Sequence, residues 1–499
     1  MLYNSQIFIF LFLPLTLGGW YLINHFKYHK LALFYLTCMS LWFYGYFNPS
    51  YLLIILGSMA GNYLISFMME KWKSPRCQKL GLAAGLIFNI GLLGYFKYYD
   101  FFVENVNVIF RTDFALKHVL LPLGISFFTL QQLSYVIDRS WGTAPHYGIL
   151  EYASFVTFFP QLVAGPIVLH GELIPQFRDL EKRKFQAMSF ADGTILFAIG
   201  LIKKVLLADT LALFVNEAFQ KVWWLDTPTA WMAALCFTFE LYFDFSGYCD
   251  MAVGIGKMFR LELPVNFRSP YKAHSVPEFW QRWHYTLTRF LQSYLYMPIS
   301  VTGMRKKSKA AKKFFAILAP MVTFLVSGFW HGASWTFVLW GFLWGVATVW
   351  SHRKFWKLKK GFLPWLCTFL FTVINSAIFR SESWPVMCRF LKAMFVPSLS
   401  VTGILSEISY AFENLSENYV WSRVVEQFRP EALRLLYPAF LFLCVAISAA
   451  VLRGKNAQEI LAAQKKKGYG KGFTICLALL TAWAVISLNQ VSTFLYFNF

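Results

Sequence analysis

Apolar residues in this chain are gathered into long runs, and polar residues are confined mostly to the gaps between them. The runs lie near 7–23, 31–47, 51–69, 81–99, 118–137, 150–168, 192–215, 229–253, 279–300, 314–330, 333–350, 361–379, 436–452 and 473–489. Many reach the roughly 20 residues that a helix needs to span a bilayer core. The pattern predicts an all-α polytopic membrane protein. The first run, from Ile7, has no basic leader and no small-residue cleavage site, so it reads as a retained span.

The gaps carry a charge bias. Connections near 27–30, 71–79, 178–184, 259–272, 305–313, 353–360 and 453–471 are basic. Those near 48–50, 100–113, 216–226 and 380–434 are weakly basic or acidic. Basic connections belong in the cytoplasm. That rule is satisfied throughout only if the runs 150–168 and 279–300 fail to cross, because each has basic connections on both sides. Both contain residues that suit a re-entrant or interfacial path: Pro160, Gln161, Gly165 and Pro166 in one, with Glu278, Arg282 and His284 in or beside the other. Irregular or polar backbone survives at membrane depth only where protein or a water-filled cavity shields it. About twelve crossings with both termini outside are expected. Residues 1–117 then form N-terminal transmembrane helices and 118–351 a core with the re-entrant segments. Residues 352–499 form C-terminal helices, with an extracytoplasmic segment at 380–434 expected to hold short amphipathic helices.

Composition agrees with this class. Of 499 residues, 57% are hydrophobic, 20% aromatic and only 14% charged, against about 25% charged in soluble domains. Neither a soluble globule nor a disordered chain accommodates that balance. The net charge of +21 is concentrated in short membrane-flanking runs, which calls for no nucleic acid. The eight cysteines are scattered without a CxxC pair, so neither a disulfide framework nor a zinc knuckle is indicated. No internal repeat is evident, which weakens a transporter reading.

Polar groups inside the apolar runs are candidates for function, because burying them in a bilayer is expensive. Four clusters qualify: 122–139; 159–166, with Gln161; 240–250, with Glu240, Asp244 and Ser246; and Phe279–His284 taken with 328–332. Glu240 and Asp244 stand four apart and share a helix face. They read either as a carboxylate pair for glycoside chemistry or, given the neighbouring Tyr and Ser residues, as a structural hydrogen-bond network. Seven of the nine histidines lie at flanks or in connections and read as interfacial, His170 and His274 among them. His284 and His331 differ: each sits beside a tryptophan within or at the end of an apolar run. Each is either a satisfied core histidine or a functional one. Zinc needs three or four ligands, which these clusters do not supply. A buried imidazole acting as general base is the more economical chemistry.

These residues carry a family resemblance. The order Pro122-Leu-Gly-Ile-Ser126-Phe, 158–166, Tyr242-Phe-Asp-Phe-Ser-Gly-Tyr248, Asn266-Phe, Ser269-Pro-Tyr-Lys272, Phe279-Trp, Arg282-Trp-His284, Leu295-Tyr-Met-Pro298 and Gly328-Phe-Trp-His-Gly-Ala-Ser-Trp335 resembles the membrane-bound O-acyltransferase family, in particular its alginate-O-acetylation branch. Members often differ at Gln281, Gln292-Ser293 and Trp344, where Arg, a charged pair and His are common. The resemblance implies many helices around a tunnel, with thin membrane at its centre. It maps the catalytic histidine to His331 and the second family histidine to His284. Trp283 and Trp330 would wall the site, while Asn266, Asp244 and Ser246 would position its elements; Arg282 and Gln161 belong to the matching blocks. It further implies acetyl-CoA as donor with no bound cofactor, a bacterial cell membrane, a polysaccharide acceptor and an extracytoplasmic acetyltransferase partner. Teichoic-acid D-alanylation is the alternative within the family. A polymer or small-molecule transporter is the alternative outside it.

Overall fold

The computed structural model describes residues 1–72, 74–351, 361–400, 403–417, 427, 430–490 and 495. Among these residues all regular structure is helical and no strand forms. Among the described residues six helices are long and apolar enough to cross a membrane: Phe8–His25, Ser50–Lys71, Pro75–Phe110, Lys309–His331, Phe362–Arg380 and Ala432–Arg453. Trp335–Ser351 and Lys471–Ile486 are shorter apolar helices. The protein is therefore a multi-pass membrane protein. Thr227–Met258 is an uninterrupted α-helix of 32 residues, about 48 Å at 1.5 Å per residue.

The two intervals expected to stay on one side differ from each other. In 150–168 the helix Ile149–Thr157 has only nine residues, breaks at Phe158 and resumes as Phe159–Leu162. Nine residues rise about 14 Å, well short of a hydrocarbon core. Its irregular backbone is shielded by protein: Phe158 to Pro166 are all buried, and Gly165 lies so close to the backbone of Pro160 and Gln161 that a Cβ would collide. In 279–300, by contrast, the short helix Val276–Trp280 is followed by an unbroken helical run from Tyr285 to Met304, continuing through a π-turn at Gln292–Tyr296. At 20 residues the run is as long as a span, but it is too polar to stand among the six apolar helices above. The connection 353–360 lies outside the described residues, as does part of 380–434. The described part of the latter contains the short helices Trp384–Phe395, Ile404–Ser409 and Tyr410–Glu417. The first is amphipathic, burying Met387, Phe390, Ala393 and Met394.

The chain forms two compact units. One comprises Met1–Phe197, Ala252–Val265 and Arg289–Pro298. Its core includes the rings of Phe8, Phe12, Phe43 and Phe159 and a buried amide knot in which Asn62, Asn89, Gln132 and Ser58 satisfy one another. His170 is buried here, with Tyr147 Oη at 3.0 Å from Nδ1 and Asp138 Oδ2 at 2.9 Å from Nε2. That corrects the interfacial reading of this histidine, which hydrogen bonding makes tolerable inside the fold.

The other unit comprises Ala198–Met251, Asn266–Thr288 and Ile299–Phe499. Its central feature is a hairpin of Lys309–His331 and Trp335–Ser351. Ser308 caps the first helix by accepting from Ala311 N, and His331 ends it. The helices touch where side chains vanish: Gly328 lies against the backbone of Phe337 and Gly341, and Gly341 against that of Phe324. Phe362–Arg380 packs beside Trp335–Ser351.

Candidate active site

His331 is the last residue of Lys309–His331, and Gly332 follows in extended conformation. The imidazole is 4% exposed. Aromatic rings surround it: Trp330 at 4.9 Å between centroids, Trp340 at 5.1 Å and Phe379 at 5.3 Å. It faces a cavity of about 20 Å³, room for about one water, lined also by Leu241, Tyr271, Phe279, Trp280, Trp283, Trp344, Thr372, Asn375 and Ser376. Three buried polar atoms of these lining residues have no hydrogen-bond partner among the described residues: the indole nitrogens of Trp280 and Trp344, and Asn375 Oδ1. Leaving such a group unmatched costs about 1–3 kcal/mol, so the cavity wall retains polar capacity for a bound group.

His284 is built differently. It sits between the helices Val276–Trp280 and Tyr285–Leu291 with φ at 43°, a left-handed conformation that is uncommon outside glycine and is held here by its surroundings. Asn266 holds it. The Asn266 carbonyl accepts from Tyr285 N at 2.9 Å. Its side-chain Oδ1 accepts from Thr286 N at 3.1 Å and Thr286 Oγ1 at 2.9 Å, and lies 3.1 Å from His284 Nδ1. A backbone N–H on that atom identifies it as the amide oxygen, so His284 Nδ1 donates and Nε2 carries the lone pair. Phe245 stands edge-on to the imidazole at 4.7 Å. Trp330 also contacts His284, at 6.3 Å. One indole thus touches both histidines.

Not every residue singled out in the sequence joins them. Trp283 lines the cavity and stacks on Phe279 at 5.6 Å. Arg282 is partly exposed and forms an ion pair with Glu278 at 2.8 Å. Gln161 belongs to the first unit, where its amide donates to Phe155 O at 2.5 Å. Asp244 and Ser246 are buried in Thr227–Met258; lysines lie against both, and Asp244 Oδ2 also accepts from Leu495 N at 2.9 Å. Lys204 lies 2.6 Å from Asp244 and 2.7 Å from Asp209, while Lys203 lies 2.6 Å from Asp250 and 3.5 Å from Ser246. Both lysines fall in a π-helical turn, Lys203–Ala208. The ion pair adds lysines to the structural network expected around Asp244, and it engages a carboxylate that glycoside chemistry would need. The signal for Lys203 and Lys204 is in the sequence, as two consecutive lysines inside the 192–215 run. Thr372, Asn375 and Ser376 are likewise visible as polar residues in 361–379, but nothing in the sequence directs them toward His331.

A second cavity, of about 480 Å³, is lined by His274, Ser275, Val276, Pro277, Ala347, Trp350, Ser351, Pro364, Cys367, Thr368 and Phe371. It occupies neighbouring turns of the helices that line the first.

Comparison with known proteins fits this geometry. Residues 143–376 match the model of the MBOAT, membrane-bound O-acyltransferase family. A peptidoglycan O-acetyltransferase of Helicobacter pylori is 37% identical, across 100% of this chain and 98% of its own length. The probable alginate O-acetylase AlgI of Pseudomonas aeruginosa is 37% identical across 79% of this chain and 75% of its own. A teichoic acid D-alanyltransferase of Streptococcus thermophilus is 24% identical across 46% and 58% respectively. The chain belongs to the membrane-bound O-acyltransferase family and is an acyltransferase of its O-acetylating branch.

Proposed function

We propose that the protein moves an acyl group, most simply acetyl, from a thioester donor on the cytoplasmic side to a hydroxyl destined for an extracytoplasmic polysaccharide. The observation that carries this reading is His331, buried at a helix end against a cavity with two unmatched indole N–H groups and an unmatched amide oxygen. A neutral imidazole takes a hydroxyl proton near neutral pH. The hydroxyl oxygen attacks the thioester carbonyl, the C–O bond forms and the C–S bond breaks. The proton passes through His331 to the departing thiolate. In the covalent variant His331 accepts the acyl group first and yields it to the hydroxyl. Either way the aromatic wall excludes bulk water, which would otherwise hydrolyse the ester. His284, set in one tautomer by Asn266, orients donor or acceptor. Acetyl-CoA is the proposed donor.

The setting is the cytoplasmic membrane of a bacterium, with about twelve crossings and both termini outside; the charge bias of the connections supports that arrangement. The relative that matches from end to end acts, by its name, on peptidoglycan, which favours a cell-wall glycan as the polymer. A separate extracytoplasmic acetyltransferase is the proposed partner that completes the transfer. Mass spectrometry of base-released groups from the wall polymers of cells with and without this protein tests the reading. Loss of ester-linked acetate is expected on deletion. Loss of D-alanine instead would replace it with teichoic-acid alanylation, and no change in either would refute acyl transfer to a wall polymer.

A further inference from the structure

We infer that a partition of three contacting rings, Phe279, Trp344 and Phe371, is the acyl-size filter of this enzyme. The inference rests on the thioester-donor reading above and deepens it. The two cavities share three helices and lie on neighbouring turns of each. Along Trp335–Ser351, Trp340 and Trp344 line the small cavity and Ala347 and Trp350 the large one. Along Phe362–Arg380, Thr372 lines the small cavity and Thr368 the large. Along Val276–Trp280 the order is Phe279 and then Val276. Four residues of helix separate Thr368 from Thr372, about 6 Å of rise.

What stands between the cavities is aromatic. Trp344 is 2% exposed and stacks on Phe279 with centroids 5.2 Å apart and planes within 10°. Phe371 meets the same indole edge-on at 4.9 Å. Contact at those distances leaves no room for an alkyl chain between rings. The volumes decide the consequence. About 480 Å³ falls in the range of pockets that hold a drug-sized ligand and suits the carrier part of a thioester. About 20 Å³ beside His331 holds little more than a methyl-sized group. A donor seated in the large cavity can present a two-carbon acyl group at the partition, whereas a longer chain meets the indole of Trp344. Each methylene without room changes discrimination about 10–200-fold.

The test uses inverted membrane vesicles from cells that make the full-length protein, supplied with acetyl-CoA or butyryl-CoA. The readout is the ratio of butyryl to acetyl esters formed on endogenous polymer. Wild type should favour acetyl by at least about 100-fold. Trp344→Ala should narrow that preference at least tenfold, with Trp344→Phe in between, because the opening grows in that order. Phe371→Ala opens the partition from the other helix and should act in the same direction, so it decides the matter if Trp344→Ala fails to fold. An unchanged ratio in every folded variant, or equal use of both donors by wild type, overturns the filter. Alkylation of Cys367, which lines the large cavity, distinguishes failure of the filter from failure of the underlying reading. With acetyl-CoA as donor, N-ethylmaleimide should label this cysteine more slowly when acetyl-CoA is present. Wild type that makes no acetyl ester and shows no such protection removes the thioester donor itself, and the filter with it.

Discussion

Lys204 holds two carboxylates at once, Asp244 at 2.6 Å and Asp209 at 2.7 Å, in a site where its own side chain is 4% exposed. Breaking a buried pair by removing one partner costs about 3–5 kcal/mol, because the remaining charge is left uncompensated. Asp244→Asn leaves Lys204 its second carboxylate, so its effect should fall at or below the lower end of that range. Lys204→Met strands two carboxylates and should lose more. Thermal unfolding in detergent should therefore rank wild type above Asp244→Asn and Asp244→Asn above Lys204→Met. A stable, wholly inactive Asp244→Asn protein would place this carboxylate in the chemistry instead. Asn375 makes the opposite case. Its amide nitrogen donates to Phe371 O at 3.0 Å while Oδ1 is buried without a partner among the described residues. Asn375→Leu removes an unsatisfied acceptor and should leave the melting temperature unchanged or raised, yet slow acyl transfer, since the apolar side chain offers a bound group nothing. Normal transfer by this variant would return Asn375 to a packing role.

Among the elements, the hairpin of Lys309–His331 and Trp335–Ser351 controls where His331 sits. Its helices approach through Gly328 and Gly341, whose Cα atoms leave only about a van der Waals contact between them; a Cβ at Gly328 would lie 3.1 Å from Gly341 Cα and closer still to Phe337 O. Gly328→Leu must push the helices apart one turn before the histidine. Overpacking of this kind costs about 1–3 kcal/mol, and a displacement near 1 Å at a reacting group costs on the order of 100-fold in rate. Activity should thus fall further than stability, which a specific-activity measurement at matched folded amount checks. The interval 285–304 shows where element-level reading from sequence stops. Charge flanking together with Glu278, Arg282 and His284 suggests a re-entrant or interfacial path; the sequence does not show that the helix continues without a break through a π-turn at Gln292–Tyr296.

For the whole molecule, the apolar runs were legible because a bilayer demands length and hydrophobicity in each span, both of which are written along the chain. The histidines were legible for the same reason, since a polar residue inside such a run stands out. Partners were not. The sequence displays the cost of burying Asp244 or Lys204 and conceals the distant residue that offsets it. Nor does it place Asn375 beside His331 across more than forty residues. The proposed topology rests on the charge bias and is open to direct test: in intact cells an impermeant thiol reagent should label a cysteine introduced at position 415 and spare one at 308. Labelling in the reverse pattern would invert the arrangement. The central claim is that acyl transfer depends on His331. Loss of a positioned base lowers rates about 10²–10⁴-fold, and loss of a covalent relay lowers them further. The decisive measurement is ester-bound acetyl on the wall polymer of a deletion strain complemented with wild type, His284→Ala or His331→Ala at matched membrane protein level. His331→Ala should remain folded in the membrane and leave the polymer essentially unacetylated, with a smaller deficit for His284→Ala; near-normal acetylation by folded His331→Ala would contradict the account.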